Sequence, residues 1–380
     1  LFILIAASYA ETCIDKLKWT TSGGRIMVND QPLVLKGVNY FGFETETFAP
    51  HGIWDHDLND FLDFIKNNGF NAIRVPFSME LVKNSPKKIM AVHCHNNPGL
   101  CQKSAYHMLD TFINRAAERG LLVMLSNHRN AAGGYISPPL WYDNAYTEVE
   151  VIKLWKILTD RYADRWNVFA IDLKNEPHDN ATWGDSKPQT DWNKAAERMI
   201  MGLSSFQGLF FVGGIEWGGR FEKAAQYPIN TGLDDLNNRV VYSPHAYGPD
   251  VYDRPEFNVE SFPNNLDEIY RRKFGFLVEN GHPVVIGEWG GKAVKDTRDE
   301  TWNKWFVEWM RRKCLTNNFY WCLNPNSDHT GGLLEEDWKT PVQHKINLVN
   351  RAQPHPTKFK THDGKICITK GSFPEGNCQR

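Results

Sequence analysis

Short apolar runs rich in β-branched and aromatic residues recur along the chain at positions 33–42, 72–77, 121–128, 168–176, 209–215, 240–247, 283–288 and 319–324. Between most of them lie stretches with helical spacing of apolar residues, at 57–69, 105–120, 148–166, 191–205, 265–281 and 299–313. No other feature limits the fold so sharply. Strands separated by helices pair in parallel, because a parallel connection needs a long crossover. Runs that are apolar almost throughout suit strands covered on both faces. A doubly wound sheet and a closed barrel both fit. Eight units in 380 residues favour an α/β fold of the (β/α)8 TIM barrel type. No Gly-x-Gly-x-x-Gly opens the first unit, as a dinucleotide fold would need. Positions 18–35 alternate in polarity and turn at Asn29-Asp30, which predicts a short N-terminal hairpin. From Ala352 onward the composition shifts, in "AQPHPTKFKTHDGKICITKGSFPEGNCQR". The expected division is a signal remnant at 1–10, a barrel over 11–352 and a packed C-terminal extension over 353–380.

The formal net charge of -2 offers no basic field for nucleic acid or an anionic membrane. The first ten residues, "LFILIAASYA", are too few to span a bilayer. They read as the apolar part of a secretory signal, with Ser8 and Ala10 placed for cleavage before Glu11; a buried first strand is the alternative. Secretion makes disulfides plausible among the seven cysteines. Cys94 with Cys101, and Cys367 with Cys378, are each spaced to close a local loop. Cys13, Cys314 and Cys322 are left unassigned. The cysteines and histidines form no zinc pattern, so no zinc site is expected. Most of the fourteen tryptophans belong to a core, but flat apolar rings with a polar edge also suit sugar faces.

In a barrel the site lies where the strands end. The expected ends carry Arg74, His128, Asn175-Glu176, His245 with Tyr247, Glu288 and Trp321. Each alone has an ordinary explanation as an ion pair, a satisfied histidine or a core ring. Gathered at one face they are harder to explain by packing, since burying polar groups adds no stability. Glu176 and Glu288 would face each other across the mouth. Two carboxylates across a cleft are the apparatus of glycoside hydrolysis, provided that their surroundings push their proton affinities apart.

With these residues the chain resembles glycoside hydrolase family 5, the cellulase family, and in particular its secreted endo-β-1,4-glucanases. The resemblance covers about residues 19–350 and rests on "LVLKGVNYFGFET", "HGIWDHDLNDFLDFIKNNGFNAIRVPFS", "LKNEPHD", "WGGRFEKAAQYP", "VYSPHAYGPDVY", "FPNNL" and "VVIGEWGG". "WCLNPNSDHTGGLLEEDW" matches more loosely. It implies a retaining enzyme without a cofactor, acting on β-1,4-glucan. Glu176 would be general acid and then base, and Glu288 the nucleophile. Arg74, His128, Asn175, His245 and Tyr247 would complete the catalytic set. Trp321 would floor the subsite before the scissile bond, with Trp54 and Trp217 stacking neighbouring units. A monomer is expected. Three departures stand out: Ser126 where many relatives carry Asp, a short loop after Ile215, and the tail beyond 352. Other readings are mannan, xyloglucan or exo-acting specificity on the same fold, a metal-dependent barrel hydrolase and a non-catalytic sugar binder. The metal enzyme would need His-x-His where "NYFGFE" stands; the binder would lack a carboxylate.

Overall fold

The computed structural model describes residues 11–85, 95–100, 102–133 and 137–374. The expected signal at 1–10, and Cys94, Cys101 and Cys378, lie outside them. Fifteen strands run in chain order. The N-terminal ones are β1 (Thr12–Ile14), β2 (Trp19–Ser22), β3 (Arg25–Val28) and β4 (Gln31–Pro32). The next are β5 (Lys36–Asn39), β6 (Ala72–Ser78), β7 (Leu122–Arg129), β8 (Val168–Asp172) and β9 (Leu209–Val212). They continue with β10 (Val240–Tyr242), β11 (His245–Tyr247), β12 (Ile286–Gly290) and β13 (Asn318–Tyr320), and end with β14 (Lys358–His362) and β15 (Lys365–Thr369).

Strands β5 to β13 form one parallel sheet in the order β10-β9-β8-β7-β6-β5-β13-β12-β11. Its two ends, β10 and β11, are pieces of one strand broken at Ser243-Pro244. Tyr242 in β10 also bridges Val284 just before β12, and Val285 N–H donates to the Tyr242 carbonyl at 3.0 Å. The sheet therefore closes on itself as an eight-unit barrel, as the alternating runs predict. Proline supplies no N–H for the ladder, which accounts for the break.

Helices flank the sheet and start where the sequence provides caps. Ser104 accepts from His107 N–H ahead of Ala105–Glu118, and Thr147 accepts from Glu150 N–H ahead of Glu148–Arg161. Their apolar faces pack on the outer face of the sheet as the larger core cluster. A second cluster fills the barrel, including Met124, Phe169, Phe211, Val241 and Phe319. Gly37 in β5 makes room for Phe319: a Cβ there would lie 2.2 Å from its ring.

The N-terminal region holds one more turn than expected. Besides the turn at Asn29-Asp30, where both residues have positive φ, Gly23-Gly24 turns β2 into β3. The tail pairs with the start of the chain: β14 and β15 form a hairpin, and β1 adds to β15. Their apolar residues Phe359, Ile366 and Ile368 join Trp19 beneath the barrel filling. Antiparallel register sets Cys13 opposite Cys367, and the two form a disulfide across 354 residues. The local Cys367–Cys378 loop is thereby corrected: strand pairing, not nearness in sequence, chose the partner. Cys314 is also disulfide-bonded, and Cys322 is free and buried. Among the described residues no helix is long and apolar enough to cross a membrane.

Candidate active site

Arg74, near the middle of β6, is fully buried and uses all five of its N–H donors. Nε and Nη2 donate to Asp172 Oδ2 at 3.1 and 2.6 Å. Nη2 also donates to Asn175 Oδ1 at 2.8 Å. Nη1 donates to Asn39 Oδ1 at 2.9 Å and to Glu288 Oε1 at 2.5 Å. One guanidinium thus ties four barrel strands together and fixes the nucleophile candidate. Ser126 donates its hydroxyl to the same Asp172 oxygen at 2.8 Å. The carboxylate that Ser126 and Arg74 share thus comes from β8, the strand beside β7.

Glu288, on β12, also accepts from the Tyr247 hydroxyl at 2.6 Å. Burial pushes its proton affinity up, while His245, Arg74 and the Tyr247 hydroxyl pull it back. Glu176 sits differently. The predicted fourth strand stops at Asp172 rather than running to 176, and Glu176 stands in a loop with φ 50°. The loop stays anchored, because Asn175 N–H donates to the Asn127 carbonyl at 2.8 Å. Burial raises Glu176 to about 7, against the pull of Arg74, Lys174 and His178.

His245 Nδ1 lies 2.9 Å from Glu176 Oε1 and 3.5 Å from Glu288 Oε2. A ring nitrogen facing two carboxylates is the one that carries the proton. Burial lowers His245 to about 4, so it donates as a neutral ring. One oxygen of each glutamate and this nitrogen lie within 4.8 Å of one another. Such a trio could bracket a cation, but the Arg74 guanidinium already supplies positive charge at Glu288.

The pair opens on a cleft of about 1060 Å³. Trp321 lies in its wall, its ring nearly parallel to Phe41 (12°, centroids 5.7 Å apart) and to His128 (14°, 5.6 Å). His128 is buried and held neutral. Trp217 is 41% exposed, lines the cleft and stacks on His178 at 3.6 Å. Trp54 stands apart. It is half-buried, edge-on to Trp338 at 5.4 Å and tilted against His51 at 5.2 Å; His51, not Trp54, faces the cleft.

Asn39, Asp172, Lys174, Phe41 and Tyr252 belong to the site or its walls but were not singled out in the sequence. Asp172 had a signal: a charge inside an apolar run must meet an opposite charge once buried. Tyr252 had none.

A parallel barrel with two carboxylates this close at the strand ends has the layout of a glycoside hydrolase. The family model of cellulase, glycosyl hydrolase family 5, matches residues 30–327. The chain belongs to that family. Among similar proteins are an endoglucanase of Paenibacillus polymyxa, 37% identical over 90% of this chain and 88% of its own, and the major extracellular endoglucanase of Xanthomonas campestris pv. campestris, 35% identical over 91% and 74%. A hyperthermophilic endocellulase from the archaeon Pyrococcus horikoshii matches with a TM-score of 0.83 and 36% identity, over 88% of this chain and 98% of that one. One structure of that endocellulase is a complex with cellotetraose.

Proposed function

We propose that the protein is a secreted endo-β-1,4-glucanase that cleaves internal links of cellulose or soluble β-glucan with retention at the anomeric carbon. The observation that carries this reading is the carboxylate pair, with oxygens within 4.8 Å of each other on either side of His245. Retaining pairs stand about 5–5.5 Å apart, whereas inverting pairs leave roughly 6.5–9.5 Å for a water. Glu288 attacks the anomeric carbon as the glycosidic bond breaks, and Glu176 gives its proton to the leaving oxygen. Water then attacks the same carbon, its proton passes to Glu176, and the ester to Glu288 breaks. The His245 N–H at Glu176 Oε1 leaves Oε2 to hold the transferred proton. Arg74 fixes the Asn175 side-chain oxygen, so the amide nitrogen, 3.5 Å from Glu176 Oε2, is the end that meets the sugar 2-hydroxyl. Trp321 floors the adjoining subsite, Trp217 carries an outlying unit, and Trp54 supports the far wall through His51.

Endo action is supported by the cleft continuing past the pair in both directions. Glu44, Thr45 and His51 line it beyond β5, and Trp217 and Tyr252 line it beyond β9 and β11. The endoglucanase relatives and the cellotetraose complex favour β-1,4-glucan. The catalytic unit is taken as residues 11–352, with 353–380 as its extension. The test offers purified protein carboxymethylcellulose, barley β-glucan, xyloglucan and galactomannan, following viscosity and reducing ends together. An early viscosity drop on the β-1,4-glucans is expected. Turnover of galactomannan alone would replace the glucanase reading.

A further inference from the structure

Lys174 lies between Asp172 and the Asn175-Glu176 pair, and only 1% of it is exposed. A fully buried ammonium is costly unless it holds something in place. Its Nζ donates to Ser137 Oγ at 2.6 Å and to the Asn175 carbonyl. The Ser137 hydroxyl in turn donates to the His128 carbonyl at 2.7 Å. The chain His128 carbonyl, Ser137, Lys174, Asn175 carbonyl thus links the end of β7 to the loop that bears Glu176. That loop needs fastening. Glu176 sits in the left-handed region, which a residue with a Cβ adopts only when its surroundings hold it there. The other side of the loop is held by the His178 ring, whose Nδ1 lies 2.6 Å from the Glu176 carbonyl.

We propose that Lys174 is a positioning residue for the acid and base steps: its buried ammonium, braced by Ser137, holds the Asn175-Glu176 peptide so that the Glu176 carboxyl faces the glycosidic oxygen. This rests on Glu176 being the acid. Lys174 does not touch the substrate. Its charge also bears on Glu176, together with Arg74 from β6, His178 from the same loop, His245 and Tyr247 from β11, and Glu288 from β12. Burial lowers Lys174 to about 7, with Glu176 and Asp172 pulling it back up and Arg129 and Arg74 pushing it further down, so the ammonium prevails below about pH 7, where the acid Glu176 is also protonated. Loss of a nearby cation makes a carboxyl hold its proton more tightly.

The test compares Lys174→Met, Ser137→Ala and Glu176→Ala with the unchanged protein, on cellopentaose and on a dinitrophenyl cellobioside. The second substrate needs no proton at its leaving group, and added azide replaces water in the second step. Lys174→Met is expected to lower kcat on cellopentaose about 10- to 100-fold with KM little changed. Its rate on the aryl substrate in azide should stay within about threefold of the unchanged protein's, and its alkaline limb should move to higher pH. Ser137→Ala, which keeps the ammonium, should show a smaller loss of the same kind with the limb unmoved; it carries the test if Lys174→Met does not fold. Equal losses on both substrates in either variant, or full activity on cellopentaose in both, would overturn the role of Lys174. If Glu176→Ala itself loses both substrates equally in azide, the acid assignment fails instead.

Discussion

Glu176 and Glu288 are less than 5 Å apart at their nearest oxygens, yet they keep different company. Glu288 is bound by a guanidinium and a phenol, both donors to an ionised carboxylate. Glu176 has one neutral imidazole and a weak amide contact at 3.5 Å. Donors to the charged form favour it; although burial raises both groups, this difference fits the proposed roles, Glu288 ionised as nucleophile and Glu176 protonated as acid. Glu288→Gln should therefore abolish turnover while leaving oligosaccharide binding, measured by calorimetry, nearly intact. Glu176→Ala should cost about 10²–10⁴-fold on unactivated substrates. An acid works only while protonated, so kcat/KM should fall as pH rises through about 7, the value to which burial lifts Glu176. A pH profile in which that limb survives Glu176→Gln would assign it to another group. Asp172 shares Arg74 with Glu288. Asp172→Ala strands part of a fully buried cation and should destabilise the fold by about 3–5 kcal/mol, read from denaturant unfolding. It also leaves Glu288 as the one carboxylate hydrogen-bonded to Arg74 among the described residues, which should move the acidic limb to lower pH.

The elements show what a sequence reveals and what it withholds. All eight barrel strands fall within or beside the predicted runs, because burial on both faces writes itself into composition. Their ends were less legible. The fourth run continues to Glu176, but the ladder stops at Asp172, since apolar content says nothing about where hydrogen bonding ends. Glu288, His245 and Tyr247 were readable as polar groups at strand ends, and Glu176 just beyond one; Arg74 was expected at the end of the second strand, but β6 runs on past it to Ser78. Asp172 was missed because it lies in the middle of the run 168–176, four residues before Glu176, and the Trp54 expected to stack in the cleft has its ring packed against Trp338. Aromatic residues in loops carry no periodicity, so their direction cannot be read. The loop after β9 holds Glu216 and Trp217 in left-handed conformations, and Trp217 N–H donates to the Pro177 carbonyl at 3.1 Å. With His178 beneath it, the ring is presented to the cleft as a preset platform. Trp217→Ala should weaken cellopentaose binding by about 1 kcal/mol and leave cellobiose binding unchanged. A lower Tm with no change in chain-length dependence would show that the ring serves packing alone.

At the scale of the whole molecule, the two ends of the barrel do different work. The C-terminal ends of the strands carry the site, while β1, β14 and β15 lie on the far side of the filling formed by Phe169, Phe211 and Phe319. The Cys13–Cys367 bond closes a loop of nearly the whole chain, which restricts the unfolded state most strongly when the loop is long. Replacing both cysteines by serine should lower stability by about 2–4 kcal/mol and leave kcat unchanged, because the bond lies at the end of the barrel opposite the carboxylates. A change in kcat without a change in stability would mean that the two ends are coupled. The reaction course proposed for the open end is direct attack by Glu288, from a pair with oxygens within 4.8 Å of each other. Proton NMR of fresh β-1,4-glucan hydrolysate, recorded before mutarotation, tests this most directly. The β anomer should be the first reducing end to appear; the α anomer appearing first would contradict the nucleophilic role of Glu288.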